Sequence, residues 1–136
     1  MRICVVVANY YPKISKHLIK GASQTLLKNG IINNKIIFSP GIFELPVIIS
    51  RNINKYDAFI ALGCVIKGET PHFNFISSAA INAIMDLSIK YKKPIGNGIL
   101  TCLNNKQALK RANIYKKNKG GEAAKAVLSV LGILKK

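Results

Sequence analysis

A chain of 136 residues with 49% hydrophobic side chains holds one domain with room for a core, and no apolar run reaches membrane-spanning length. The formal charge of +16, from 21 Lys and Arg against 5 Asp and Glu, would suit a polyanion. The cations are nearly all lysines scattered among abundant Ile and Asn, as an AT-rich genome supplies, without a nucleic-acid motif or an aromatic stripe, so neither nucleic acid nor membrane is expected as a partner. A positive field still attracts phosphorylated substrates. Cys4, Cys64 and Cys102 lie in apolar runs with no CxxC spacing. They read as buried free thiols of a reducing, cytoplasmic compartment, and no metal site is expected.

Residues 3–8 read as a buried strand, edge or core, rather than a secretory signal, because Asn9, Tyr10 and Tyr11 follow at once. Residues 15–29 carry a helical stripe of Ile14, Leu18, Ala22 and Leu26, with Gly30 as the stop. Residues 34–39 form a second strand, and Pro40-Gly41 a turn. Residues 43–54 are a helix with Leu45, Ile48, Ile49 and Ile53 on one face and Pro46 in its first turn. Residues 58–66 are the third strand. Residues 72–92 form a long helix with Ile76, Ala80, Ala83 or Ile84, Leu87 and Tyr91 inward. Residues 95–102 are the fourth strand, 104–112 a short helix capped by Asn104, and 118–135 a last helix with Ala124, Val127, Leu128, Leu131 and Leu134 inward. Alternating strands and helices imply an α/β three-layer sandwich: a four-stranded parallel sheet in flavodoxin-like order, with helices on both faces.

In such a sheet the carboxyl ends of the strands share one edge, where ligands bind. That edge gathers Asn9-Tyr10, Ser39 to Gly41, Ile66 to Thr70 and Leu100-Thr101. The stretch DAFIALGCVIKGETPHFNF (residues 57–75) is the most telling: a buried strand breaks at Lys67-Gly68, turns through Glu69-Thr70-Pro71 and enters a helix at His72. His72 suits proton transfer near neutral pH, and the turn amides suit an anion at a helix start. The same residues also fit a plain turn with a surface histidine. His17, inside the first helix, reads as surface or structural. Arg111 by itself reads equally as a solvated helix arginine.

Five segments in unbroken order resemble the 6,7-dimethyl-8-ribityllumazine synthase family over nearly the whole chain. PGIFELP (residues 40–46) is similar to that family's PGAFEIP loop, ALGCVIKGETPHF (61–73) to its ALGxVIRGxTxHF, and NKGGEAA (118–124) to its NKGxEAA. Asn9-Tyr10-Tyr11 and the segment from Asn97 through Gln107 to Arg111 complete the set. The resemblance implies a transferase of riboflavin biosynthesis that needs no cofactor. It condenses 5-amino-6-(D-ribitylamino)uracil with 3,4-dihydroxy-2-butanone 4-phosphate through a Schiff base, phosphate elimination and ring closure.

Residue by residue, the resemblance implies His72 as the proton shuttle and Tyr10 as the ring stacked on the pyrimidine. It gives Gly41, Ile42 and Phe43 as backbone partners of the pyrimidine and ribityl chain, and Glu44 as acceptor of ribityl hydroxyls. Cys64, Val65 and Ile66 would meet the pyrimidine through main-chain groups. Gly68, Glu69, Thr70 and Arg111 would hold the phosphate, with Lys119 and Glu122 near it. The resemblance also implies small-molecule substrates and a homo-oligomer, a pentamer or a multiple of pentamers, whose site lies between subunits. Riboflavin synthase is a further partner of this class. A lumazine- or flavin-binding protein on the same scaffold is the alternative.

Three positions depart from the family pattern. Asn97, which the resemblance implies on the pyrimidine and ribityl side of the site, stands where many relatives carry an aromatic that reaches a neighbour's site. Lys67 replaces an arginine, keeping the charge without the planar fork. The chain starts almost at its first core strand, where many relatives have an arm that pairs with the adjacent subunit, so the sheet edge is expected to be managed otherwise. Ala79, Ala80 and Ala83 offer a small-residue face for close helix packing, in a core or at an interface.

Overall fold

The computed structural model describes residues 1–69 and 72–135. The chain runs β1 (Ile3–Ala8), α1 (Pro12–Lys28), β2 (Asn34–Ser39), α2 (Leu45–Arg51), β3 (Ala58–Ile66), α3 (Phe73–Tyr91), β4 (Ile95–Cys102), α4 (Asn105–Ala112) and α5 (Lys119–Val130). The four strands form one parallel sheet in the order β2-β1-β3-β4. This is the expected three-layer α/β sandwich.

Strand alternation builds its two cores. Val5, Val7, Ile60, Leu62, Cys64 and Cys102 face α1, α4 and α5, where Leu18, Leu26, Ala108, Ala124 and Leu128 meet them. Cys4, Val6, Phe59, Ala61, Val65 and Ile99 face α2 and α3, against Leu45, Ile49, Ala80 and Ile84. The central strands β1 and β3 are buried on both faces, which is why they read as continuous apolar runs. The three cysteines are buried and free. Gly120 lets α5 settle on α1, since a Cβ there would run into the Leu18 carbonyl. Among the described residues no helix is long and apolar enough to cross a membrane.

All four strands begin and end at the expected residues, but several helix ends do not. α1 starts at Pro12 rather than residue 15, because proline suits the first helical turn. α2 covers only 45–51 of the expected 43–54. Its N-cap is Glu44, and the amides of Asn52 and Ile53 close turns onto Ile49 and Ser50. α5 stops at Val130 instead of 135: Gly132 takes φ +75, and the Ile133 amide returns to the Leu128 carbonyl. Leu134 is therefore exposed, not inward, and Tyr91 is exposed at the end of α3. Of the α3 alanines, Ala80 is in the core, Ala83 is half-buried and Ala79 is exposed.

Candidate active site

β3 outlasts its neighbour. Its pairing with β1 ends at Val7 with Leu62, while its pairing with β4 continues to Ile66 with Cys102. The amides of Phe59 and Lys67 donate to β4-side carbonyls of Pro94 and Cys102. Odd-numbered residues of β3 thus turn their main-chain groups toward β4, and even-numbered ones toward β1. Beyond Leu62 the main-chain groups of Cys64 point into space that β1 has vacated. Those of Val65 face β4, which leaves them paired along the sheet and not turned to the cavity as the resemblance implies. The Ile66 carbonyl accepts from the Glu69 amide, 3.2 Å, closing the turn that Gly68 makes at φ +86. The Glu69 amide therefore serves the turn instead of an anion cradle.

A cavity of about 410 Å³ opens over that end of β3. It is lined by Tyr10, Tyr11, Gly41, Ile42, Phe43, Glu44, Cys64, Val65, Glu69 and Ile76. Tyr10 is 67% exposed, its ring set edge-on to Tyr11 with centroids 4.9 Å apart. The loop after β2 is held from within: Ser39 Oγ donates to the Gly41 carbonyl, 2.7 Å, and the Leu45 amide to the Ile42 carbonyl, 3.1 Å. Each carbonyl keeps a second lone pair for a ligand. Glu44 makes no cap bond to α2, although it stands at the N-cap. Tyr11 Oη donates to Glu69 Oε2, 2.7 Å. Burial, then this bond, pushes the Tyr11 phenol well above its usual range, so it stays a donor.

A second cavity, of about 560 Å³, lies along the outer side of β4. Asn97, Ile99, Leu100, Thr101, Arg111, Lys117, Lys119, Glu122, Ala123 and Ala126 line it. Arg111 Nη1 donates to the Thr101 carbonyl, 3.2 Å, and lies 3.7 Å from Cys102 Sγ. Lys119 pairs with Glu122 at 3.1 Å. Asn97 Oδ1 accepts from the Ile99 amide, 3.0 Å.

The expected site residues thus divide. Tyr10, Gly41, Ile42, Phe43, Glu44, Cys64, Val65 and Glu69 gather at one cavity; Asn97, Arg111, Lys119 and Glu122 gather at the other. Ile66, Gly68 and His72 line neither. His72 is exposed at the N-cap of α3, one helical turn before Ile76, which does line the first cavity. Thr70 lies outside the described residues. Cys64 joins the two regions: burial first, then the neighbouring Cys102 thiol, pushes its thiol up to about 12, with Glu69 raising and Arg111 lowering it. Tyr11, Ile76 and Lys117 line cavities but were not among the expected site residues. Tyr11 was shadowed by the adjacent Tyr10, and Lys117 by a chain full of lysines.

A parallel α/β sandwich whose longest strand ends under an aromatic, carboxylate-bearing cavity belongs to the class that binds small molecules at strand carboxyl ends. Within that class the chain belongs to the 6,7-dimethyl-8-ribityllumazine synthase family, whose family model matches residues 1–135. It is 41% identical over 139 residues to the 6,7-dimethyl-8-ribityllumazine synthase of Buchnera aphidicola, covering 98% of this chain and 87% of the relative. The enzyme of the same name from Bartonella tribocorum is 42% identical over 137 residues, covering 98% and 90%. That of Methylobacterium radiotolerans is 42% identical over 134 residues, covering 97% and 81%.

Proposed function

We propose that this protein condenses 5-amino-6-(D-ribitylamino)uracil with 3,4-dihydroxy-2-butanone 4-phosphate to 6,7-dimethyl-8-ribityllumazine. The observation that carries the reading is the free end of β3. Cys64 main-chain groups there face a cavity that also holds the Tyr10 ring, which suits a flat heterocycle with donors and acceptors on its edge. Stacking on Tyr10 contributes roughly 1 kcal/mol beyond burial. Gly41, Ile42 and Phe43 lie along the heterocycle, and Glu44 accepts from the ribityl hydroxyls.

The pyrimidine amine attacks the ketone carbonyl; the C–N bond forms and water leaves. Loss of a proton from the carbon skeleton then expels inorganic phosphate, and attack by the ribityl-bearing nitrogen closes the ring with loss of a second water. His72 takes and returns the protons of imine formation and elimination. Gly68, Thr70 and Arg111 hold the phosphate. A fixed guanidinium lowers the barrier because charge accumulates on the departing group. Lys119 and Glu122 set the position and field of that clamp.

The two cavities support a homo-oligomer, a pentamer or a multiple of pentamers, in which the Arg111 cavity of one subunit abuts the Tyr10 cavity of the next. Phe75, Met85 and Ile89, 57–78% exposed on α3, supply apolar surface for such a contact. Cytoplasmic residence and a handover of product to riboflavin synthase fit the free thiols and the reaction.

The reaction is tested by mixing both substrates with the protein and following lumazine absorbance and phosphate release together. Coupled appearance of both above the uncatalysed rate is expected. Pyrimidine binding without lumazine would favour a lumazine- or flavin-binding protein. The shared site is tested by co-refolding His72→Ala with Arg111→Ala, two variants that each lack most of their turnover. In a head-to-tail ring about one interface in four regains both halves, so about a quarter of the activity should return. No recovery would place the whole site in one subunit.

A further inference from the structure

We propose that Tyr11 is a positioning residue that holds the Glu69 carboxylate away from the phosphate seat and couples that seat to the aromatic platform. The inference rests on the reaction reading above and adds a residue to it.

Tyr11 touches both ends of the first cavity. Its ring meets Tyr10 edge-on, with centroids 4.9 Å apart and planes at 79°. Its hydroxyl donates to Glu69 Oε2 across 58 residues of sequence, at 2.7 Å. Tyr11 itself is anchored: it is the N-cap of α1, and its carbonyl accepts from the Ser15 amide at 2.9 Å. Glu69 sits in the turn after Gly68, and its amide is already spent on the Ile66 carbonyl. What Glu69 presents to an arriving phosphate is therefore its carboxylate, which repels a phosphoryl group. A short bond from a neutral donor fixes that carboxylate at the Tyr11 side of the cavity. The same anchor sets the Tyr10 ring, so the pyrimidine platform and the phosphate turn share one support.

The test is a double-mutant cycle of Tyr11→Phe and Glu69→Gln, read as separate KM values for the two substrates. Tyr11→Phe keeps the ring contact with Tyr10 and removes only the hydroxyl. It should raise KM for the butanone phosphate about tenfold, the equivalent of ~1.4 kcal/mol, and leave KM for the pyrimidine within about twofold. In the Glu69→Gln background the same change should have no effect on either KM, because no carboxylate remains to be restrained. An equal loss for both substrates with a lowered melting temperature would make Tyr11 a packing residue and overturn the proposal. An undiminished effect of Tyr11→Phe in the Glu69→Gln background would also overturn it. Calorimetric titration of the four chains with inorganic phosphate decides the pair separately: it should show the same non-additivity even if the unaltered chain made no lumazine.

Discussion

The two cavities of this chain are lined with opposite chemistry. The one over β3 presents rings, main-chain groups and carboxylates: Tyr10, Cys64, Glu44 and Glu69. The one along β4 presents cations: Arg111, Lys117 and Lys119, tempered by Glu122. Rings and edge-on hydrogen bonding suit a neutral heterocycle, whereas cations suit a phosphate. Keeping them apart in one chain lets each environment be tuned without the carboxylates quenching the cations. Joining them across subunits would then make the reaction depend on assembly.

The largest blow to the contrast should come from Arg111→Ala. Use of the butanone phosphate should fall about 10²–10³-fold, while pyrimidine affinity, measured by fluorescence titration, holds within about twofold. Equal losses for both substrates would erase the distinction between the cavities. His72→Ala should slow lumazine formation about 10²-fold without altering binding of either substrate. Single-turnover absorbance traces would show it, and unchanged turnover would remove His72 from the chemistry. Tyr10→Ala should act in the opposite sense to Arg111→Ala, raising KM for the pyrimidine about fivefold and sparing the phosphorylated ketone.

The smallest effect concerns stability. Burial raises the folded Cys64 thiol to about 12 from an ordinary 9.0, and Cys4 to about 11. The folded chain thus holds these protons more tightly than the unfolded chain. Their contribution is full below about pH 9 and is lost as pH rises toward about 12. Urea midpoints should fall across that window, and Cys64→Ala should flatten part of the fall. A slope indifferent to that substitution would mean that the thiol contributes nothing.

The strands were fully legible in the sequence because a strand buried on both faces, such as 58–66, must be apolar throughout and must end where polar turn residues begin. Helix ends were less so. Whether Leu131 to Leu134 extend α5 depends on Gly132 adopting a left-handed conformation, and nothing in an apolar pattern requires that. The grouping of the candidate site residues was only partly legible. Tyr10, Glu44 and Cys64 could be placed at one sheet edge from strand order, but Arg111 could not. Its cavity exists because β4 is an outer strand and α5 packs close beside it on Gly96, where a Cβ would meet the Ala123 carbonyl at 2.6 Å. Tyr11 was overlooked because its role depends on a partner 58 residues away.

Arg111 and Asn97 have one more consequence. Counting along β4, residues 95, 97, 99 and 101 turn their main-chain groups outward, away from β3. Two of those groups are taken by side chains: the Ile99 amide by Asn97 and the Thr101 carbonyl by Arg111. A bare outer strand is a template on which a foreign strand can grow, and here it is blunted at two points by residues that line the β4 cavity. Losing Arg111 would therefore bare part of that edge whatever it did to the proposed reaction, so relaxed selection on the reaction alone would not free this position to drift.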